Sequence, residues 1–289
     1  MLEQLTHPTV ILAIVAIASL AGILGGLLGV GGSIIIIPGL YFIIGPNQQL
    51  YQAACMIVNV FIAIPATLKH RKAKSLNPKL ILLMLPASIV MIFLGVYISN
   101  LPVFRGADGG IYLGRILAVF LVYVVIINVK RLLNPILDAR KVTPTSFNPQ
   151  KQPDPHHTFA HTHPGRCIFV GICHGFSAGL MGIGGGAIAV PLQQVLLKLP
   201  LKNCIANSAC LIVFSSTLGA TYKNTSLSTL GYHVSESLVI AAICIPAAFI
   251  ASRFGASLTY KLPIKLVRII FIILIAISAY KLAQLPFPF

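Results

Sequence analysis

Acidic side chains are scarce in this chain of 289 residues, which has five Asp and Glu residues against 21 Lys and Arg residues. The acids fall in loops or near the ends of apolar stretches: Glu3, Asp108, Asp138, Asp154 and Glu236. Cation pumps and many proton-coupled carriers keep carboxylates inside the membrane for binding and relay. The shortage therefore argues against a carrier of metal cations or cationic drugs. It favours an anion path lined by backbone groups and neutral donors.

Residue sets that catalyse reactions are missing as well. The apolar stretches contain no paired carboxylates, no metal-ligand constellation and no Ser/His/Asp set, which argues against an intramembrane enzyme and predicts no cofactor. The six cysteines form no C-x-x-C pair and lie in or beside apolar stretches. We expect them to be buried as small hydrophobic residues.

Long polar stretches are few, since 57% of the residues are hydrophobic and 9% are charged, with a mean hydropathy of +0.91. Several runs approach the ~20 apolar residues that cross a bilayer. The candidate spans are 9–28, 50–68, 80–99, 112–133, 167–181, 204–222, 238–258 and 264–282, with shorter apolar pieces at 34–44 and 187–199. This pattern predicts an all-α polytopic protein with the lipid bilayer as its partner. The net charge of +16 is explained by topology signals and anionic lipid, without a nucleic-acid partner.

One glycine-dense motif occurs twice, 153 residues apart, from Gly22 to Pro38 and from Gly175 to Pro191. The matched pairs are Gly22/Gly175, Gly26/Gly179, Gly29/Gly182, Gly31/Gly184, Gly32/Gly185 and Pro38/Pro191. Further matches follow in the same order in each copy, ending with Arg115 and Arg268. The chain is therefore predicted to contain a first membrane repeat at 1–133, a polar cytoplasmic linker at 134–165 and a second membrane repeat at 166–289.

Basic residues indicate how the two copies are oriented, because Lys and Arg favour the cytoplasmic side of short loops. If each copy has five membrane segments, with a short re-entrant or broken helix after each glycine motif, the second copy is inverted. This arrangement leaves four of the 21 basic residues outside: Arg105, Arg115, Lys223 and Lys281. A parallel arrangement with four crossings per copy leaves more of them outside. The sequence therefore predicts two inverted repeats of about five segments each, in the cell membrane.

Each glycine motif interrupts an apolar helix, and interrupted helices in inverted repeats commonly form transporter substrate sites. The N–H groups and the positive dipole end of the short helix that follows suit an anion. We therefore predict that a small anionic substrate binds at Gly29, Gly31, Gly32, Ser33, Gly182, Gly184, Gly185 and Gly186. Tight helix packing through G-x-x-x-G spacing is the alternative. It applies most to Gly22, Gly25, Gly26, Gly175 and Gly179.

Neutral side chains within the spans are further candidates for the substrate site. We select Asn59 in the first repeat, and Asn207 and Ser208 in the second, although a membrane Ser or Thr usually bonds back to its own helix. His174 lies just before Gly175, inside a span. It is a candidate for coupling anion movement to protons, or for a structural hydrogen bond to a neighbouring helix.

The paired runs G-x-x-G-x-G-G-S at Gly26–Ser33 and G-x-x-G-x-G-G-G at Gly179–Gly186, each followed by an apolar segment and a proline, resemble those of the sulfite exporter TauE/SafE family of membrane permeases. The resemblance covers nearly the whole chain except the linker. It implies a transporter of small sulfur-containing anions or organosulfonates, such as sulfite, thiosulfate or a sulfonate. The inverted repeats predict alternating access, with one half rocking against the other. The substrate, direction, coupling ion and oligomeric state stay open, as does the choice between carrier and channel.

Four histidines cluster in the polar linker, at His156, His157, His161 and His163. Imidazole is a common metal ligand, so a metal-responsive or assembly membrane protein is the alternative function. No cysteine pair with metal-site spacing accompanies the cluster, and a flexible polar loop is the better explanation for it. We therefore predict no metal site.

Overall fold

The computed structural model describes residues 7–45, 47–104, 106–133 and 163–263, together with Leu5 and scattered positions between 265 and 280. The described residues form nine α-helices and two short 3-10 turns, without a β-strand. The helices are α1 (Pro8–Leu28), α2 (Ser33–Ile44), α3 (Gln48–Lys72), α4 (Pro78–Ser99), α5 (Gly106–Leu133), α6 (Pro164–Met181), α7 (Gly186–Leu196), α8 (Leu201–Thr225) and α9 (Val234–Leu258). Most of the predicted linker lies outside the described residues, as do parts of the last predicted span.

Six of these helices are long and apolar enough to cross a membrane, namely α1, α3, α4, α5, α8 and α9. The predicted all-helical, multi-pass architecture is therefore confirmed. Helices α2 and α7 have only 12 and 11 residues. At 1.5 Å per residue they are roughly 18 and 16 Å long, well short of the ~30 Å hydrocarbon core.

The first helix of each sequence copy packs along a helix of the other copy. Gly22 and Gly26 of α1 approach Ala248 and Ser252 of α9 so closely that a β-carbon on either glycine would overlap a backbone oxygen. Because the residue numbers rise together along the contact, α1 and α9 run in the same direction. The two copies are thus interlocked through a glycine-lined helix pair.

The same pairing occurs between α6 and α4. Gly175 contacts the backbone of Ser88, and Gly179 contacts that of Ile92, one turn further along both helices. Close backbone approach of this kind is the usual role of small residues between membrane helices. At Gly22, Gly26, Gly175 and Gly179 the packing interpretation therefore applies.

Helices α3 and α8 lie side by side and run antiparallel. At one end Lys223 of α8 donates a hydrogen bond to Gln49 in the first turn of α3. At the other end Asn203 of α8 donates to the carbonyl oxygen of Ser75, 3.0 Å away and just past the end of α3. We call the first of these two ends of the helix pair the Lys223 end and the second the basic end. The basic end carries the last turn of α3, with Lys69, His70, Arg71 and Lys72.

Lys223 differs from the sequence prediction, which assigns it to an outside loop. It lies within α8 and has 0% of its surface exposed. Its neighbours Tyr222 and Asn224 continue the helix, so the loop begins only after Thr225.

The glycine packing predicts that Gly175→Ala lowers the stability of the protein, because the new methyl group overlaps the Ser88 carbonyl. Overpacking of this kind costs about 1–3 kcal/mol. Gly165→Ala is a matched control on the same helix, since a β-carbon there meets nothing within 4 Å. Thermal unfolding of both variants in detergent is the measurement. Equal melting temperatures would contradict the packing role of Gly175.

Candidate functional site

The first glycine break separates α1 from α2. Gly29 ends α1 in the left-handed conformation, with φ of 63°, and Gly31 follows with φ of 84°. Other residues rarely adopt these angles, so the backbone conformation at the end of α1 requires glycine. The amide of Gly29 donates to the carbonyl oxygen of Gly25, 2.9 Å away, which closes the end of α1.

The second break repeats this geometry between α6 and α7. Gly182, Gly184 and Gly185 have φ of 70°, 78° and 74°, and α7 begins at Gly186. The duplication read from the sequence thus extends to the backbone conformation, because Gly29 and Gly31 match Gly182 and Gly184.

The two breaks meet in one place. A β-carbon on Gly31 would lie 3.0 Å from the carbonyl oxygen of Ile183, and one on Gly186 would overlap the carbonyl oxygen of Gly29. We call residues 29–33 and 182–186 the glycine crossing. All eight of the predicted residues in the two motifs therefore lie together.

Asn59 of α3 lies between the two breaks. Its side-chain oxygen accepts hydrogen bonds from the amides of Gly32 and Ser33, at 2.9 and 3.2 Å. Its Nδ2 atom lies on the side of Gly184 and has no hydrogen-bond partner among the described residues, although Asn59 is 0% exposed. Asn59 therefore lies at the crossing, and its role in substrate binding stays a prediction. The predicted N–H donors at the start of α2 do face the break, but Asn59 already occupies two of them.

The two serines of the prediction also contact the crossing. Ser208 of α8 donates to the carbonyl oxygen of Gly29 at 2.7 Å, and Ser33 donates to that of Cys55 at 3.3 Å. Both hydroxyls are fully buried. Ser208 thereby gives a partner to a backbone oxygen at the end of the interrupted helix α1, whereas Ser33 contacts the continuous helix α3.

His174 lies against the second break. Its Nε2 atom is 3.1 Å from the Ser215 hydroxyl, and its backbone and ring contact Gly185. The side chain is 0% exposed. This placement fits a structural hydrogen bond between α6 and α8, and the proton-coupling role stays a prediction.

Asn207 does not join the crossing. Its oxygen accepts a hydrogen bond from the Asn77 amide at 2.9 Å, and its Nδ2 donates to Gln193 at 3.2 Å. It therefore ties α8 to α7 and to the start of α4 at the basic end. Its neighbour Ser208 faces the crossing because successive helical residues point about 100° apart.

A second polar cluster closes the basic end. The Tyr260 hydroxyl lies 3.0 Å from the Ser75 hydroxyl and 2.9 Å from His70 Nδ1. Burial raises the pKa of the Tyr260 phenol, whereas its hydrogen bond with Ser75 lowers it. The net rise keeps the hydroxyl protonated as a donor.

The glutamines at the start of α3 were missed from sequence. Gln48, Gln49 and Gln52 are at most 1% exposed, and Gln52 Nε2 donates to the carbonyl oxygen of Leu180 at 3.2 Å, beside Gly182. Three carboxamides within five residues at the head of an apolar span are an unusual feature. That run is the signal that could have identified them.

The two halves contribute unequally to the crossing. The residue 153 positions after Asn59 is Ile212, whose methyl group faces Gly184. Only the first half therefore supplies a carboxamide at this depth.

The crossing offers hydrogen-bond donors and the N-terminal ends of two short helices. Helices α2 and α7 both begin there, so two positive dipole ends meet beside an unpartnered amide donor. Within the described part of the chain no group of three His, Cys, Asp or Glu residues could hold a metal ion. The linker histidines fall outside that part, apart from His163.

Two interrupted helices that meet inside a bundle of long apolar helices define a multi-pass membrane protein of the transporter class. The chain belongs to the sulfite exporter TauE/SafE family, whose family model matches residues 14–282. The match confirms the resemblance noted in the sequence.

Curated relatives carry transporter names, which point to a protein that is not an enzyme. The chain is 28% identical to the probable membrane transporter protein YunE of Bacillus subtilis, over 92% of this chain and 94% of that protein. It is 26% identical to the probable membrane transporter protein MamO of Paramagnetospirillum magneticum, over 94% of this chain but only 44% of the relative's length. It is also 26% identical to the probable membrane transporter protein MJ0441 of Methanocaldococcus jannaschii, over 89% of both chains. No solved structure matches the chain.

The contacts of Asn59 predict that Asn59→Ala destabilises the fold. The Gly32 and Ser33 amides would lose their acceptor, and a buried unsatisfied group costs about 1–3 kcal/mol. Thr217→Ala is the control, because the Thr217 hydroxyl only bonds back to Val213 of its own helix on an exposed face. Thermal unfolding in detergent compares them. A melting temperature for Asn59→Ala as high as that of Thr217→Ala would contradict the capping role.

Proposed function

We propose that this protein is a carrier that moves small anions across the cell membrane by alternating access, with the glycine crossing as its substrate site. Sulfur oxyanions and organosulfonates are the proposed substrate class, in keeping with the family's description as sulfite exporters. The observation that carries the proposal is the buried, unpartnered Nδ2 of Asn59 between two helix N-termini. An anion with two or more oxygens would accept from that amide and from the N-terminal end of α7 together.

The helix directions support an inverted arrangement of the two repeats. From their contacts, α1, α3 and α9 run one way, and α4, α6 and α8 run the other. Under the duplication α1 matches α6, α3 matches α8 and α4 matches α9, so every matched pair runs antiparallel. A parallel duplication would give matched helices the same direction.

The short helices support re-entrant segments. Helix α2 starts beside Asn59, near the middle of α3, and is followed by Gly45, whose carbonyl oxygen accepts from Tyr51 in the first turn of α3 at 2.8 Å. It therefore returns to the Lys223 end, where α1 began. Helix α7 likewise ends at Leu196, whose oxygen lies 3.4 Å from the Arg166 guanidinium at the start of α6.

The moving bodies of the proposed cycle follow from the packing. Each interrupted helix is held by a helix of the other repeat, α1 by α9 and α6 by α4, so the sequence halves are poor candidates for separate rigid bodies. We infer that the pair α1–α9 moves against the pair α4–α6. At the Lys223 end the contact between α3 and α8 through Gln49 and Lys223 would open. At the basic end the contacts of Tyr260 with His70 and Ser75 would open, and the two ends would do so in turn.

The inverted arrangement predicts which positions share a side of the membrane. In a background without native cysteines, Lys72→Cys and Lys198→Cys should react with an impermeant thiol reagent from the cytoplasmic side, and Thr229→Cys from the outside. All three positions are exposed. Labelling of right-side-out and inverted vesicles is the measurement. Reaction of positions 72 and 198 from opposite sides would refute the inversion.

The substrate proposal predicts saturable uptake of sulfite, thiosulfate or a small sulfonate into proteoliposomes. Asn59→Asp should reduce that flux at least tenfold. The carboxylate still accepts from Gly32 and Ser33 but repels the anion, and like charges ~4 Å apart cost on the order of 4 kcal/mol at an effective dielectric constant of 20. Thr229→Asp adds the same charge in an exposed loop and should leave the flux unchanged.

Two results would overturn parts of this proposal. No flux of any of these anions in the wild-type protein would remove the substrate class. Wild-type flux in Asn59→Asp, with the variant inserted normally, would move the site away from the glycine crossing. Counterflow of labelled substrate against an unlabelled excess would be expected of a carrier, and its absence with linear concentration dependence would indicate a channel.

A further inference from the structure

Lys223 is the one Lys, Arg, Asp or Glu side chain that is fully buried among the described residues. Its ammonium group donates to the Gln49 side-chain oxygen, to the Ser99 hydroxyl at 2.8 Å and to the Asn100 side-chain oxygen at 2.6 Å. Gln49 is held in turn, because its Nε2 donates to the carbonyl oxygens of Ser99 and Phe104 at 2.6 and 3.0 Å. The cluster is therefore a built site, with every ammonium hydrogen directed to a partner.

All three partners of Lys223 are neutral. No carboxylate among the described side chains lies within ion-pair distance of it. A buried charge without a counter-ion is strongly unfavourable in a membrane protein, and such residues usually serve substrates or ions. The dipoles of Gln49, Ser99 and Asn100 offset part of the free-energy cost of burying the charge, but a bound anion would offset far more.

A line of polar side chains on α3 connects this cluster with the glycine crossing. Gln49, Gln52 and Asn59 are separated by 3 and 7 residues, which places them within about 80° around the helix and along about 15 Å of its length. All three are at most 1% exposed. Gln52 lies between, where its side chain packs on Gly182, and its Oε1 has no partner among the described residues.

We propose that Lys223, with Gln49, Ser99 and Asn100, forms a second anion-binding site at the Lys223 end, separate from the glycine crossing. The role of this site in transport rests on the proposed function, whereas its ability to bind an anion does not. Its ligand is an oxyanion. The oxyanion accepts hydrogen bonds from the Lys223 ammonium group in place of the neutral oxygens of Gln49, Ser99 and Asn100, which accept them in the structure described here. Because Lys223 is on α8, binding at this site exchanges contacts within the bundle for contacts with the anion, and so opens this end.

The test compares Lys223→Met with Lys72→Met in proteoliposomes and in detergent. Methionine keeps the length of the side chain without its charge. Lys72 is an exposed lysine at the opposite end of α3, so its variant controls for net charge. We expect Lys223→Met to raise the KM for sulfite or thiosulfate at least tenfold, and to reduce the rise in melting temperature that the same anion gives the wild type. Lys72→Met should retain the wild-type KM and the wild-type rise in melting temperature.

A second variant keeps the proposal testable if Lys223→Met fails to insert. Asn100→Asp preserves the acceptor of the lysine but supplies a permanent counter-charge. An internal carboxylate should compete with the anion and raise the KM, while the melting temperature without ligand stays level or rises. A lysine with a purely structural role predicts an unchanged KM in Asn100→Asp.

The outcomes separate this inference from the proposed transport function. An anion-dependent thermal shift that is reduced in Lys223→Met, without flux in the wild type, would support the site and refute transport. Flux with an unchanged KM in Lys223→Met or in Asn100→Asp would support transport and refute the site. A wild-type melting temperature that no tested anion changes, together with no flux, would refute both.

Discussion

The need to satisfy backbone groups where two helices stop inside a low-dielectric interior governs this structure. Each break frees N–H and C=O groups that lipid cannot satisfy. The protein solves the problem by bringing the breaks together and by adding side chains from α3 and α8: Asn59 accepts from two amides, and Ser208 donates to the Gly29 carbonyl.

The shortage of acidic residues can be related to the groups that surround the glycine crossing. Both short helices begin at the crossing, and the polar side chains around it are amides, hydroxyls and one histidine. A carboxylate here would compete for the donors that the proposed substrate needs. The difference between Asn59 and Ile212 makes the two breaks unequal in their donors, although their backbone conformations are similar.

Much of the fold could be predicted from sequence, because its strongest signals are local. Apolar run length gives the long helices, and the paired glycines give the breaks at Gly29 and Gly182, since positive φ is a property of single residues. The partners of those glycines could not be predicted. Whether Gly26 packs on Ser252 or lines a cavity depends on which helices become neighbours. Lys223 was placed in a loop for the same reason: its acceptors come from two other helices.

The exchange of partners between the two copies also sets the order in which the chain can assemble. During synthesis α1 enters the bilayer before the other eight helices described here, yet the helix that fills its glycine groove, α9, is made after them. Until then the groove faces lipid or a temporary neighbour, and contacts so distant in sequence form late. The glycine-lined pair α1–α9 can therefore form only after most of both copies has been made.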